Sequence, residues 1–321
     1  MAVHRGRYEI SLLPPHCDKG SPKSSNTPDK NYSPGNTTIT GMRASYLRRT
    51  SLVPGDIVSV DGDTSGEPGT LGRIMHLHDR TTVLRRSADD LDNSERVIVA
   101  NAEQLLVVVA TQNPEPDFSL IDRALVGAYD AGITPLLLVT KTDLAPPDAI
   151  YKYYSSAQVK FLTTGFDASG TCDTSTVREA ITGRTTVLLG ASGVGKSTLM
   201  NALVPQAKRA TGEVNAITGQ GRHTSSSAVA WHIPEASAWV IDTPGVRSFG
   251  LAHSEPHQII AAFPEFAEVD QLCPKNCAHG SDTIGCHLDT WVHEENAGAA
   301  GKERLASLRQ ILNHSTPYWQ H

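Results

Sequence analysis

The segment Gly190-Ala191-Ser192-Gly193-Val194-Gly195-Lys196-Ser197-Thr198 constrains this chain more than any other. It fits G-x-x-x-x-G-K-[ST], a pattern that works only between a strand and a helix. There the glycines let the backbone turn tightly enough for successive amides to converge on an anion at a helix N-terminus. The apolar run 185–189 predicts the strand, and the stretch from Lys196 predicts the helix. In that setting Lys196 would neutralise the β and γ phosphates of a nucleotide, and the Ser197 hydroxyl would hold Mg²⁺. The surrounding chain has the rhythm of a buried parallel sheet with crossover helices. Residues 105–110 and 135–139 are continuous apolar runs separated by helical periodicity over 118–129, and 160–162, 177–181 and Trp239-Val240-Ile241 extend the alternation.

Two further strand ends carry chemistry. Thr140-Lys141-Thr142-Asp143 follows the run 135–139. A carboxylate at Asp143 accepts two hydrogen bonds from the guanine ring N–H and exocyclic amine, which adenine does not offer, and the Lys141 stem would lie over the base. Taken alone, T-K-x-D at a strand end is equally a common turn. Asp242-Thr243-Pro244-Gly245 ends the last apolar run; there Asp242 can hold Mg²⁺ through water and the Gly245 amide can meet a γ-phosphate. The order is guanine motif, phosphate loop, then D-T-P-G, whereas ordinary GTPases place the phosphate loop first. The motifs are therefore circularly permuted.

The flanks differ in texture from this α/β region, assigned to residues 101–264. Residues 1–40 hold Pro14, Pro15, Pro22, Pro28 and Pro34 among many Ser, Asn and Thr, a mix that buries too little apolar surface to offset its ordering entropy, so a flexible tail is expected. Residues 41–100 show short alternating runs separated by Gly- and Asp-rich turns, as in a small antiparallel barrel. Between Arg43 and Val97 eight Arg stand against nine acids, so that barrel is not basic overall. Arg48-Arg49 and Arg85-Arg86 are either a local phosphate-binding face or solvated edges. The net charge of −6 excludes a protein that coats nucleic acid by bulk charge. No run reaches the roughly 18–20 apolar residues of a membrane span, and the N-terminus lacks an apolar signal core, so a cytoplasmic protein with no membrane partner is expected.

Three of the five cysteines crowd into one short stretch. Cys273, Cys277, His279 and Cys286 offer three thiolates and one imidazole within fourteen residues, a set suited to a closed structural Zn²⁺ site in a C-terminal domain over 265–321. Free surface thiols or an incidental disulfide are the alternatives, and His287, next to Cys286, is a possible substitute ligand.

With these motifs in place, the chain from Arg43 to Leu312 resembles the ribosome small-subunit-dependent GTPases, the circularly permuted RsgA/YjeQ group. The resemblance extends to Glu95-Arg96-Val97-Ile98-Val99-Ala100-Asn101, Gly221-Arg222-His223-Thr224 and Val246-Arg247. It implies an N-terminal OB-fold barrel, a permuted GTPase domain and a small zinc-bearing helical domain. It also implies a monomer that hydrolyses GTP to GDP late in assembly of the small ribosomal subunit, in contact with its rRNA. Thr224 then matches the switch threonine that contacts Mg²⁺. The position after D-T-P-G is Val246, which cannot orient water, so His223 is the candidate water-positioning group; the alternative is a solvated loop histidine. The chain departs from the family at Thr140, where relatives have Asn, so the contact to guanine is expected to shrink to a hydroxyl. It departs again at Leu162-Thr163-Thr164-Gly165, expected on the other side of the base, and in its cysteine spacing, C-x3-C-x-H-x6-C in place of C-x4-C-x-H-x5-C. An RNA-binding switch with hydrolysis only as a slow timer is the second reading.

Overall fold

The structure, a computed structural model, describes residues 3–4, 6–12, 38–87, 95–205, 228–243, 251, 254–275 and 277–315. Its N-terminal strands β1 (Val3–His4), β2 (Arg7–Ser11), β3 (Thr38–Arg43), β4 (Val58–Gly62) and β5 (Gly72–Leu77) form one sheet in the order β1-β2-β3-β5-β4. Tyr8, Ile10, Ile39, Leu52 and Ile74 fill its core. The expected tail over residues 1–40 is corrected here. Arg7–Ser11 buries Tyr8 and Ile10 and exposes Arg7 and Glu9, the period of two that makes a half-buried strand, and it pairs with β3 along its length. The proline-bearing stretch 13–37 lies outside the described residues.

Strands β6 (Val83–Ser87) and β7 (Glu95–Ala100) pair as a separate antiparallel hairpin. This hairpin ties the N-terminal sheet to the central α/β unit. Leu84 and Val99 are buried in the core of that unit, while the Ala100 amide donates to Pro54 O and the Asn101 side chain donates to Gly55 O.

The central sheet comprises β8 (Gln104–Ala110), β9 (Thr134–Thr140), β10 (Lys160–Thr163), β11 (Thr185–Leu189), β12 (Val229–Ile233) and β13 (Ala238–Asp242). Their order is β10-β9-β8-β11-β13-β12, with β12 antiparallel and the others parallel. Continuous apolar strands suit a sheet covered on both faces, and β8 shows the division. Leu105, Val107 and Val109 enter one core with helix α1 (Phe118–Asp130). Leu106, Val108 and Ala110 enter another with α3 (Ser175–Ile181) and α4 (Lys196–Leu203). The short α2 (Asp148–Tyr153) precedes β10.

The C-terminal helices α5 (Pro256–Ala261), α6 (Pro264–Asp270), α7 (Leu288–His293) and α8 (Gly301–Ser315) share the α1 core rather than building their own. A buried ion cluster fixes them there. Arg304 on α8 is 2% exposed, donates to Asp122 Oδ1 of α1 at 2.5 Å and to Glu265 Oε1 of α6 at 2.6 Å, and lies 4.3 Å from the Phe263 ring centroid. Burial pushes the Asp122 carboxyl up, and the guanidinium opposes that shift. Removing Arg304 would leave two buried acids without their cation, so Arg304→Ala should cost about 3–5 kcal/mol of stability. Urea unfolding of the variant against the parent checks this, and a loss under about 1 kcal/mol would show the cluster to be dispensable.

Candidate functional site

Parallel pairing brings the carboxyl ends of β8, β9, β11 and β13 to one edge of the sheet, and three of the sequence motifs follow those ends. The loop 190–195 leads from β11 into α4, whose first residue is Lys196. Lys196 Nζ donates to Gly190 O at 2.5 Å and Ala191 O at 2.7 Å, so the ammonium is folded back over the loop. Ser197 and Thr198 are exposed in the first turn of α4. Beyond β13, the Thr243 hydroxyl donates to Leu188 O at 2.7 Å, which binds the start of D-T-P-G to the strand before the phosphate loop. Asp242 stands close enough to Lys196 for each to shift the other. Burial lowers the Lys196 pKa and raises that of Asp242, and the attraction between the two only partly opposes these shifts.

On the base side, the segment after β10 lies against the T-K-x-D turn. The Phe166 amide donates to Asp143 Oδ1 at 3.2 Å and the Thr142 hydroxyl to Thr164 O at 3.3 Å. The approach is close at Gly165. A Cβ on Gly165 would sit 2.8 Å from Asp143 Oδ1 and 2.9 Å from Thr142 Oγ1. Lys141 takes a left-handed conformation, φ +59°, and its ammonium donates to the Asn113 carbonyl in the loop after β8. Asn113 and Phe166 belong to no motif, and only the fold places them here. Thr140 ends β9 beside the phosphate loop. It is 4% exposed and its hydroxyl lies 2.6 Å from Val194 O, inside the phosphate loop. Gly221, Arg222, His223, Thr224, Pro244, Gly245, Val246 and Arg247 lie outside the described residues.

Away from this edge, the ligand atoms of Cys273, Cys277, His279 and Cys286 all lie within 4.8 Å of one another, a set that can hold one metal ion. His279 is 4% exposed; its Nδ1 is 3.9 Å from Cys286 Sγ, and its Nε2 is 3.2 Å from Asp270 Oδ1. A carboxylate behind an imidazole fixes the ring and its tautomer for coordination by the other nitrogen. Burial pushes the Cys273 thiol up to about 11, with the neighbouring thiols adding to the shift, so a cation is what would let these sulfurs be thiolates together. His287 contributes its backbone amide, at 3.4 Å from Cys273 Sγ, and stands outside the four-ligand set, so it is no substitute ligand here.

A sequence model of the RsgA GTPase family matches residues 77–252. A relative from Alcanivorax borkumensis, the "Small ribosomal subunit biogenesis GTPase RsgA", is 34% identical over 247 residues, covering 75% of this chain and 68% of its own. This chain belongs to the RsgA GTPase family. Two solved structures share its fold. YjeQ from Thermotoga maritima matches with a TM-score of 0.64 at 21% identity, over 96% of this chain and 98% of its own. YloQ, described as a circularly permuted GTPase, matches with a TM-score of 0.61 at 20% identity, over 99% of each chain.

As an RsgA-family GTPase the protein is a GTP hydrolase, and its residues fit the Mg²⁺ that GTPases use. Among the described residues Asp242 Oδ1 is buried without a hydrogen-bond partner, a cost that a hydrated cation would remove, and the exposed Ser197 hydroxyl at the start of α4 would complete the holding groups. Mg²⁺ held there would supply charge neutralisation to the phosphates of the nucleotide. Lys196 is suited to the same phosphates, since an anion would offset the burial that lowers its pKa.

The cysteine cluster generates its own test. Purified protein should carry about one metal ion per chain, and Cys277→Ala should release it and lower the melting temperature, because binding at such a site is coupled to folding. Elemental analysis that finds no metal in protein prepared without chelators would rule the site out.

Proposed function

We propose that this RsgA-family GTPase binds the small ribosomal subunit and its rRNA and acts in late assembly, its hydrolysis of GTP to GDP stimulated by the subunit. The relative that is 34% identical and named for small-subunit biogenesis carries this reading. Asp143 reads guanine. Lys196 and the loop amides hold the phosphates, Gly245 meets the γ-phosphate, and Ser197, Asp242 and Thr224 serve Mg²⁺. Zn²⁺ is the ion assigned to Cys273, Cys277, His279 and Cys286, since three thiolates and one imidazole make a closed tetrahedral set. Residues 41–100, joined by the strand Arg7–Ser11, form the RNA-facing barrel, 101–264 the GTPase domain and 265–321 the zinc-bearing domain of a cytoplasmic monomer. No helix among the described residues is long and apolar enough to cross a membrane.

His223 is the water-positioning group in this reading, because Val246 has no polar atom with which to act. The free protein then hydrolyses GTP slowly, and docking on the small subunit brings His223 and Thr224 to act on the nucleotide.

Turnover with and without small subunits tests the proposal. Strong stimulation is expected for the parent, and His223→Ala should lose most of it while binding GTP nearly as well. Absence of both stimulation and co-sedimentation with small subunits in non-hydrolysable GTP would sink the ribosomal assignment. Asp143→Asn should weaken GTP and favour xanthosine triphosphate, whose carbonyl suits an amide donor; unchanged GTP affinity would remove Asp143 from base recognition.

A further inference from the structure

We propose that Arg309 is a positioning residue for the metal centre: from α8 it holds the backbone at His279 so that the imidazole faces the cysteines. The proposal rests on the reading that Cys273, Cys277, His279 and Cys286 hold one metal ion.

His279 has φ +55°, a left-handed conformation that favours glycine and that a residue with a Cβ keeps only where its surroundings impose it. Three contacts impose it here. Its amide donates to the Cys277 sulfur, two residues back. Its Nε2 lies 3.2 Å from Asp270 Oδ1 at the end of α6. Its carbonyl accepts from Arg309 Nε at 2.9 Å, thirty residues away in sequence. In this geometry His279 Nδ1 is 3.9 Å from Cys286 Sγ. A backbone rotation at His279 would swing the ring out of the ligand set, and Arg309 is the contact that ties this backbone to the packed helices.

The guanidinium is itself fixed. Its Nη1 and Nη2 donate to Asp289 Oδ1 and Oδ2 of α7 at 2.9 and 2.6 Å, a bidentate fork that sets the plane of the group and leaves Nε for the His279 carbonyl. The Asp289 side chain is 57% exposed, so the ion pair by itself contributes little to stability and its effect is orientation. Arg309 also stands within hydrogen-bonding reach of Cys286, and a cation beside sulfurs that become thiolates on coordination offsets their mutual repulsion. One side chain thus acts on the imidazole ligand through its backbone and on a thiol ligand directly.

The test uses the full chain loaded with Zn²⁺ or Co²⁺, with affinity measured by competition against a chelator. Arg309→Met keeps an apolar stem and removes every donor. It should weaken metal binding by about 10- to 100-fold, the range for an outer partner of a metal ligand, and reduce the visible absorption of tetrahedral Co²⁺–thiolate. The melting temperature should fall for the metal-loaded variant, and the gap from the parent should close once chelator has stripped both. Unchanged affinity with an unchanged cobalt spectrum would show that Arg309 only staples α7 to α8. An equal fall in melting temperature with and without metal would show a loss of helix packing; either result overturns the proposal. If Arg309→Met does not fold, Asp289→Asn, which loosens the fork and leaves α8 intact, should move the same readouts in the same direction, and unchanged affinity there overturns the proposal equally. A parent that takes up no metal would reject the metal centre and the proposal with it, a result distinct from a parent and variant that bind alike.

Discussion

Parallel pairing of β8 with β9 on one side and β11 on the other is the constraint on which the site depends. Parallel strands end at the same edge, so a guanine-type turn, a phosphate loop and an Asp-bearing loop that are far apart in sequence become neighbours in space. Adjacency in the sheet is set by hydrogen-bond ladders and not by the order in which strands are synthesised. A permuted chain can therefore assemble the same edge, provided that each motif still comes directly after its own strand.

The edge is held together by short polar contacts between strand-end segments. The Thr140 hydroxyl reaches Val194 O, the Thr243 hydroxyl reaches Leu188 O, and the Phe166 amide reaches the Asp143 carboxylate. Each joins one strand-end segment to another, so the loops are positioned mutually. By contrast, burial disfavours the charges of Lys196 and Asp242, and Asp242 Oδ1 has no partner among the described residues. Such a site is completed by a ligand that carries both signs, a polyphosphate with its cation.

Away from the edge, the C-terminal helices serve as cover for the sheet. They bury Phe263, Phe266, Leu308 and Ile311 against α1, and the Arg304 cluster selects their registration. The metal-ligand cluster comes after α6, whose Asp270 supports His279, so the ion site and the packed helical layer are mechanically continuous. At the other end, the β6–β7 hairpin places Leu84 and Val99 in the same core. Both flanking units thus reach one face of the sheet.

Residue type and local period are enough to reveal the five parallel strands of the central sheet, though not its antiparallel edge strand β12, together with the phosphate loop, the T-K-x-D and D-T-P-G segments and the four candidate metal ligands, because each depends on neighbours within a few positions. Arg7–Ser11 is not legible in the same way: a five-residue strand beside a proline-rich stretch has too little periodicity to stand out, and its partner β3 is distant in sequence. The placement of Phe166 against Asp143, the separation of the hairpin from the N-terminal sheet and the burial of Thr140 are equally beyond local reading. Each is decided by which strands lie side by side. The chemistry that each segment carries is determined by its own residues. Only the packed sheet decided that the Thr140 hydroxyl meets a phosphate-loop carbonyl, since that proton goes to the nearest acceptor the fold provides.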